Sequence, residues 1–188
     1  MIDLAGIELG DKRGGMMRLR ETIEAEGGLL AKAVDPLAWP EIHRAEPGTL
    51  VAAGPRAQAH PTEYQLVVDL ILEGHRMHGS GRGWVVASAD PDLALLLGDQ
   101  LYALGLNRLA CLGDVEAVAE LADVIALCAQ ARVAEWGELA GAAWDAGPVA
   151  VGWGGSPALD AAKAAARAGD PDAPERMRQV ARELAQPR

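Results

Sequence analysis

Three groups of residues in this chain have types and spacings that could do chemistry. The first is Gly152-Trp153-Gly154-Gly155-Ser156, set between an apolar run and an alanine-rich stretch. Glycines there free the backbone to bend close to a ligand. The first turn of a following helix would then offer unpaired N–H groups and a positive dipole end, which suit a phosphate. Arg56 and Arg132 would add complementary charge, and His60 could meet an anionic substrate or move a proton. The plainer reading is a tight turn in which Ser156 caps a helix.

The second group is acidic. Asp90 and Asp92, one residue apart, close the apolar run WVVAS. Carboxylates so placed can share a divalent cation, Mg²⁺ or Mn²⁺, when a third acid such as Asp69, Asp114 or Asp123 stands near. Capping explains the same pair without a ligand: Asp90 as the first cap, Asp92 beside the positive helix end. The third group is His75 and His78, three apart at a helix end beside Arg76 and Arg82. With no third ligand evident, cations at a helix C-terminus are the simpler account. Cys111 and Cys128 lie in apolar runs and are expected as buried thiols of raised pKa. No G-K-[ST], CxxC or nucleophile motif is present.

These residues need elements to position them. From Pro47 onward, short apolar runs alternate with stretches of helical spacing. The runs at 48–55, 84–88, 108–112, 123–127 and 148–153 have the length of strands. Helices are expected after Pro61, from Asp90 to Gly105, over VEAVAELA, over 131–146, from Pro157 and over 175–185. Unbroken apolar strands are covered on both faces, and strand–helix alternation builds a parallel sheet with right-handed crossovers. The expectation is therefore α/β: a Rossmann-like three-layer sandwich with about five mostly parallel strands. It forms a single domain over 1–168, with 1–46 an added strand and helix, including a helix around Met16–Glu26. A linker and helix follow over 169–188. Ligands of such sheets bind outside the carboxyl ends of the strands, where 54–56, 88–92, 113–114, 129–132 and 152–156 would meet.

Two local resemblances bear on that edge. Residues 149–166, VAVGWGGSPALDAAKAAA, resemble the GGGS-x-x-D-x-A-K signature of iron-containing alcohol dehydrogenases, with Asp160 and Lys163 at the later letters. The resemblance implies that Gly152, Gly154, Gly155 and Ser156 cradle the pyrophosphate of NAD(P) or another nucleotide. It is expected to carry that turn alone, not the family's metal-binding domain. Residues 67–112 loosely resemble the PIN-like (NYN) nucleases, whose clustered acids bind metal for phosphodiester cleavage. That resemblance implies Asp69, Asp90 and Asp92 as the set.

Composition narrows the partners. The chain has 188 residues, half of them hydrophobic, and a net charge of −10, enough to fill a core and too acidic for broad phosphate binding. No apolar run reaches the ~20 residues of a bilayer span. The expectation is a cytoplasmic protein with no membrane role and no nucleic-acid partner, binding a small anionic molecule. Three functions follow from these readings. The first is a nucleotide- or anion-binding Rossmann-like protein, and the second a metal-dependent phosphodiesterase. The third is a non-enzymatic subunit, whose five tryptophans and alanine-rich helices (131–146 and 175–185) meet another chain or a second copy.

Overall fold

A computed structural model describes residues 12–36 and 47–186. They form α-helices α1 (Lys12–Glu26), α2 (Gly28–Lys32), α3 (Pro47–Ala53), α4 (Pro61–Ser80), α5 (Pro91–Cys111), α6 (Val115–Val133), α7 (Gly137–Trp153), α8 (Pro157–Arg167) and α9 (Ala173–Leu184). A 3₁₀ turn (Pro55–Ala57) joins α3 to α4. There is no sheet among the described residues. Their only β-type pairings are two isolated antiparallel bridges, Val34 to Val86 and Arg82 to Ala87.

The α/β sandwich is therefore corrected to an all-α bundle, and each expected strand has another place. Residues 48–55 are α3 and the start of the 3₁₀ turn. Residues 84–88 are the α4–α5 loop, 108–111 the last turn of α5, 123–127 the middle of α6, and 148–153 the end of α7. The unbroken apolar runs arise because these helices are covered on several sides. At the end of α7, every residue from Ala146 to Gly152 is buried, between α6, α3 and α9. A helix hydrophobic all round is a buried helix, and over six residues it has the same letters as a buried strand. Pro148 sits inside α7 and removes one N–H from its ladder, yet the helix continues past it.

Local signals fix several helix ends. Asp90 Oδ1 accepts from the N–H of Asp92 (2.9 Å) and Leu93 (3.2 Å), with Pro91 opening α5. Asp114 caps α6 through the Ala117 N–H at 3.0 Å. Ser156 caps α8 through Leu159 at 3.2 Å. α4 ends at Gly81, which takes φ 68° and returns its N–H to Met77 O.

The helices share three apolar clusters. One joins α1, α2, α4, α5 and the α4–α5 loop through Leu19, Ile23, Leu70, Val86 and Leu97. One joins α6 to α9 through Leu127, Leu139, Leu159 and Met177. The third bridges them through Val51, Val67, Ile71, Leu109, Leu121 and Val151. α4 and α5 run antiparallel, since Gly74 meets Gly98 while Ile71 meets Gly105. The helix expected over 175–185 is α9, which buries Met177 and Ala181 against α7 and α8. α1 matches the helix expected around Met16–Glu26, and the expected N-terminal strand lies outside the described residues. Among the described residues, no helix is long and apolar enough to cross a membrane.

Candidate functional site

With no sheet there is no strand edge, and the nucleotide-binding reading built on that edge falls with it. The structure nevertheless brings part of the expected set together. The end of α7 approaches the α3–α4 turn so closely that a Cβ on Gly54 would stand 2.4 Å from Gly152 O. Arg56 reaches this corner, its Cδ 3.7 Å from where a Gly154 side chain would start. Its guanidinium bonds Asp114 Oδ1 at 2.8 Å and Glu116 Oε2 at 3.0 Å. A Cβ on Gly155 would lie 2.6 Å from Glu120 Oε1. The glycine turn thus faces Asp114, Glu116 and Glu120, a carboxylate-lined corner.

Burial alone would raise the Asp114 carboxyl pKa. The Tyr64 hydroxyl at 2.6 Å, the Ala117 N–H and Arg56 outweigh burial and hold it below the usual range. Tyr64 is driven the other way, up to about 12, by burial and then by its bond to Asp114. Exposed His60 precedes α4, one turn before Tyr64. Arg132 is not at this corner. It lies 18 residues along α6 from Asp114, about 27 Å by helical rise, and donates to His78 O.

The acids named for a metal are also apart. Asp90 and Asp92 stand at the exposed start of α5, where the Asp90 carboxylate is committed to capping and accepts the Asp92 N–H. Asp69 is buried in α4 against α3, where a Cβ on Gly48 would meet its Oδ1. Asp69 is two residues from Ile71, which packs on Gly105, thirteen residues past Asp92; that is about 20 Å of helix. Among the described residues, no three His, Cys, Asp or Glu side chains come together as a metal site.

His75 and His78 look in different directions. His75 tilts against Trp144, ring centroids 5.5 Å apart, and burial, then Arg132, lowers its pKa to about 4. His78 stacks on Tyr102 at 5.1 Å, with Nε2 3.1 Å from Asp99 Oδ1. Cys128 is buried, its thiol pushed up to about 12. Cys111, expected buried, is exposed because it ends a helix instead of lying in a strand.

Sequence reasoning missed Glu73, and it named Lys163 only as a letter of the dehydrogenase-like signature, not as a buried ion-pair centre. Glu73 is fully buried in α4, and its carboxylate accepts three backbone N–H groups of the α4–α5 loop: Trp84, Val85 and Val86, each at 2.7 Å. Arg76 lies 4.6 Å over the Trp84 ring on the same loop. Lys163 is buried in α8, with Nζ 2.8 Å from Asp123, 3.0 Å from Glu120 and 3.1 Å from Asp160. Its partners hold its pKa above the usual lysine value despite burial. The one available signal for each was an ionisable residue inside an apolar stretch, in VVDLILEG and DAAKAAA.

A concave surface among the described residues lies elsewhere. A groove of about 400 Å³ runs between residues 26–30 and α5, lined by Glu26 to Leu30 and by Gln100, Ala103, Leu104 and Asn107. Leu29 in its wall is 49 % exposed, and Leu96, one turn before Gln100 on the same face of α5, is 57 % exposed. Comparison of the chain with protein-family models, with curated proteins and with solved structures gives no match.

Proposed function

We propose that this chain is a helical binding subunit whose partner sits along the seam between α2 and α5. The observation that carries this reading is half-exposed Leu29 in the wall of the groove, with half-exposed Leu96 one turn beyond the lining on the α5 face of Gln100. Of the other exposed large apolar residues, Leu95 adjoins Leu96, Met17 lies on α1, and Val115 and Val133 stand at opposite ends of α6; isolated exposure like that of the two valines needs no explanation. The polar chemistry supports the same reading. Asp90, Asp114 and Ser156 cap helices, Glu73 holds a loop, and Lys163 neutralises carboxylates. Of the five tryptophans, Trp136, Trp144 and Trp153 pack, partly buried, on the α6–α9 core and Trp84 on the α1–α5 cluster, while Trp39 lies outside the described residues.

The test uses the tagged full chain, isolated from its own source as wild type, Leu29→Asp/Leu96→Asp and Val133→Asp. The co-eluting protein is then purified and titrated against each. It is expected to bind wild type and Val133→Asp alike and the double variant at least tenfold more weakly, with melting temperatures unchanged. Full binding by the double variant overturns the proposal, as does the lack of any partner of the wild type.

A further inference from the structure

Resting on that reading, we infer that the occupant of the α2–α5 groove is an amphipathic helix with basic flanks, supplied by another protein. Length and shape point to a helix. Leu96, Gln100, Ala103 and Asn107 fall at i, i+4, i+7 and i+11, one straight face of α5 about 16 Å long. Leucine and alanine alternate on that face with two amides; Leu96 extends it one turn beyond the groove, whose own apolar lining is Leu29, Leu30, Ala103 and Leu104. Such a surface takes the apolar stripe of a helix of about three turns, the helix-in-groove mode of peptide recognition. The floor admits close approach. Gly27 and Gly28 hold φ 74° and 59°, and nothing lies within 4 Å of where their side chains would stand.

Charge selects the partner. Glu26 is the one charged residue in the lining. Exposed Glu21 and Glu24 precede it on α1, Glu24 lying 3.6 Å from Arg20. The whole chain carries −10, so basic flanks gain from the field and acidic ones are repelled. A second copy fits poorly. The chain's own arginine-bearing amphipathic helix, α9, has Met177 and Ala181 buried inside the bundle. Its Arg176, Arg178 and Arg182 are paired with Asp170, Asp145 and Glu175. The N-terminal residues 2–9 carry Asp3 and Glu8 and no basic residue, the wrong charge for this groove.

The experiment titrates the isotope-labelled full chain with an 18-residue peptide bearing leucines at i, i+4, i+7 and i+11 and arginine flanks. A twin peptide has glutamate flanks. Amide shifts are expected at Gly27, Gly28, Gln100 and Asn107, with binding at least tenfold weaker for the glutamate twin and for the Leu96→Glu variant. The inference is overturned by shifts confined to other surfaces, or by equal binding of both peptides. Groove shifts that change on simple dilution would show a second copy there, and groove shifts that change on deleting residues 1–11 would show the chain's own end. Either also overturns it. If the peptide fails while Leu29→Asp/Leu96→Asp still loses the purified partner, this inference falls and the binding-subunit reading stands. If the double variant keeps the partner, that reading falls.

Discussion

Oε1 of Glu73 accepts the N–H of Val85 across 2.7 Å in the buried interior, and through this bond α4 holds the loop that pins residues 33–35. Val85 O takes the Asp35 N–H, Ala33 O takes that of Ala87, and Arg82 bonds Asp35. The residues just after α2, and with them one wall of the groove, are therefore tied to Glu73 in two steps.

Glu73→Gln turns an amide NH₂ towards a backbone N–H and should cost about 1–3 kcal/mol of stability. For a chain of this size that is a fall in melting temperature of roughly 3–10 °C. The dependence on pH has a definite sign. Burial raises the Glu73 carboxyl pKa, against the pull of the three N–H groups and Arg76. The folded chain thus keeps this proton at a pH where the unfolded chain has released it. Its contribution is whole below the ordinary glutamate pKa and is lost as pH rises through the raised one. Urea melts should show the gap between wild type and Glu73→Gln narrowing from pH 4 to pH 7. A widening gap contradicts this account of Glu73.

The protein's two tyrosines should both resist ionisation near pH 10. Tyr64 is raised to about 12 and Tyr102 higher still, both chiefly by burial. Absorbance at 295 nm should stay flat until beyond pH 11. Asp114→Ala removes the acceptor of the Tyr64 hydroxyl and the cap of α6, so one tyrosine should titrate earlier. The lost cap should also cost about 0.5–2 kcal/mol. Since Asp114 has a lowered pKa when folded, its contribution is present at neutral pH and fades as pH falls through the carboxylate range. An unchanged alkaline titration in the variant would break the proposed link to Tyr64.

His75 should be neutral throughout the physiological range. Its pKa of about 4 means that acid must charge a ring held against Trp144. The stability it lends is present above the ordinary histidine pKa and is lost as pH falls towards 4. A proton NMR titration of its Cε1–H should give a midpoint well below 6. His75→Phe should remove that part of the acid sensitivity, and a midpoint near 6.5 would show that the ring is in water.

Lys163→Met leaves Glu120, largely buried, without its cation beside Asp123, which keeps Arg167 as its partner. Breaking a buried pair from one side typically costs about 3–5 kcal/mol. Lys163→Met with Glu120→Gln and Asp123→Asn should recover most of it, because an apolar or neutral replacement of the whole cluster removes the orphaned charge. Chemical denaturation of the two variants checks this, and equal losses in both would mean that the cluster does not act as a unit.

The sequence was most legible where a signal is local. Asp90-Pro91 and Ser156-Pro157 open helices because cap and first turn are neighbours in the chain. It misled where burial erases periodicity. Gly105 has the form of a helix terminator but lies mid-helix, because a side chain there would strike Ile71 at 2.8 Å. VEAVAELA and DVIAL are one helix, since Leu121, Val124 and Leu127 face neighbours on more than one side. Glu73 could not be read at all, and for Lys163 only the contact with Asp160, three residues back, was local. Their partners are backbone amides 11 to 13 residues on, and carboxylates that include Glu120, 43 residues back. Such pairings exist only once helices are laid against each other.

All of these statements rest on the helical frame, and above all on α7 running unbroken to Trp153. The most direct test is the set of backbone ¹³Cα and ¹³CO secondary shifts of the full chain. The account predicts helical values over 108–111, 123–127 and 149–153, interrupted at most around Pro148. Strand-type values in those three segments would contradict it and restore the layered sheet.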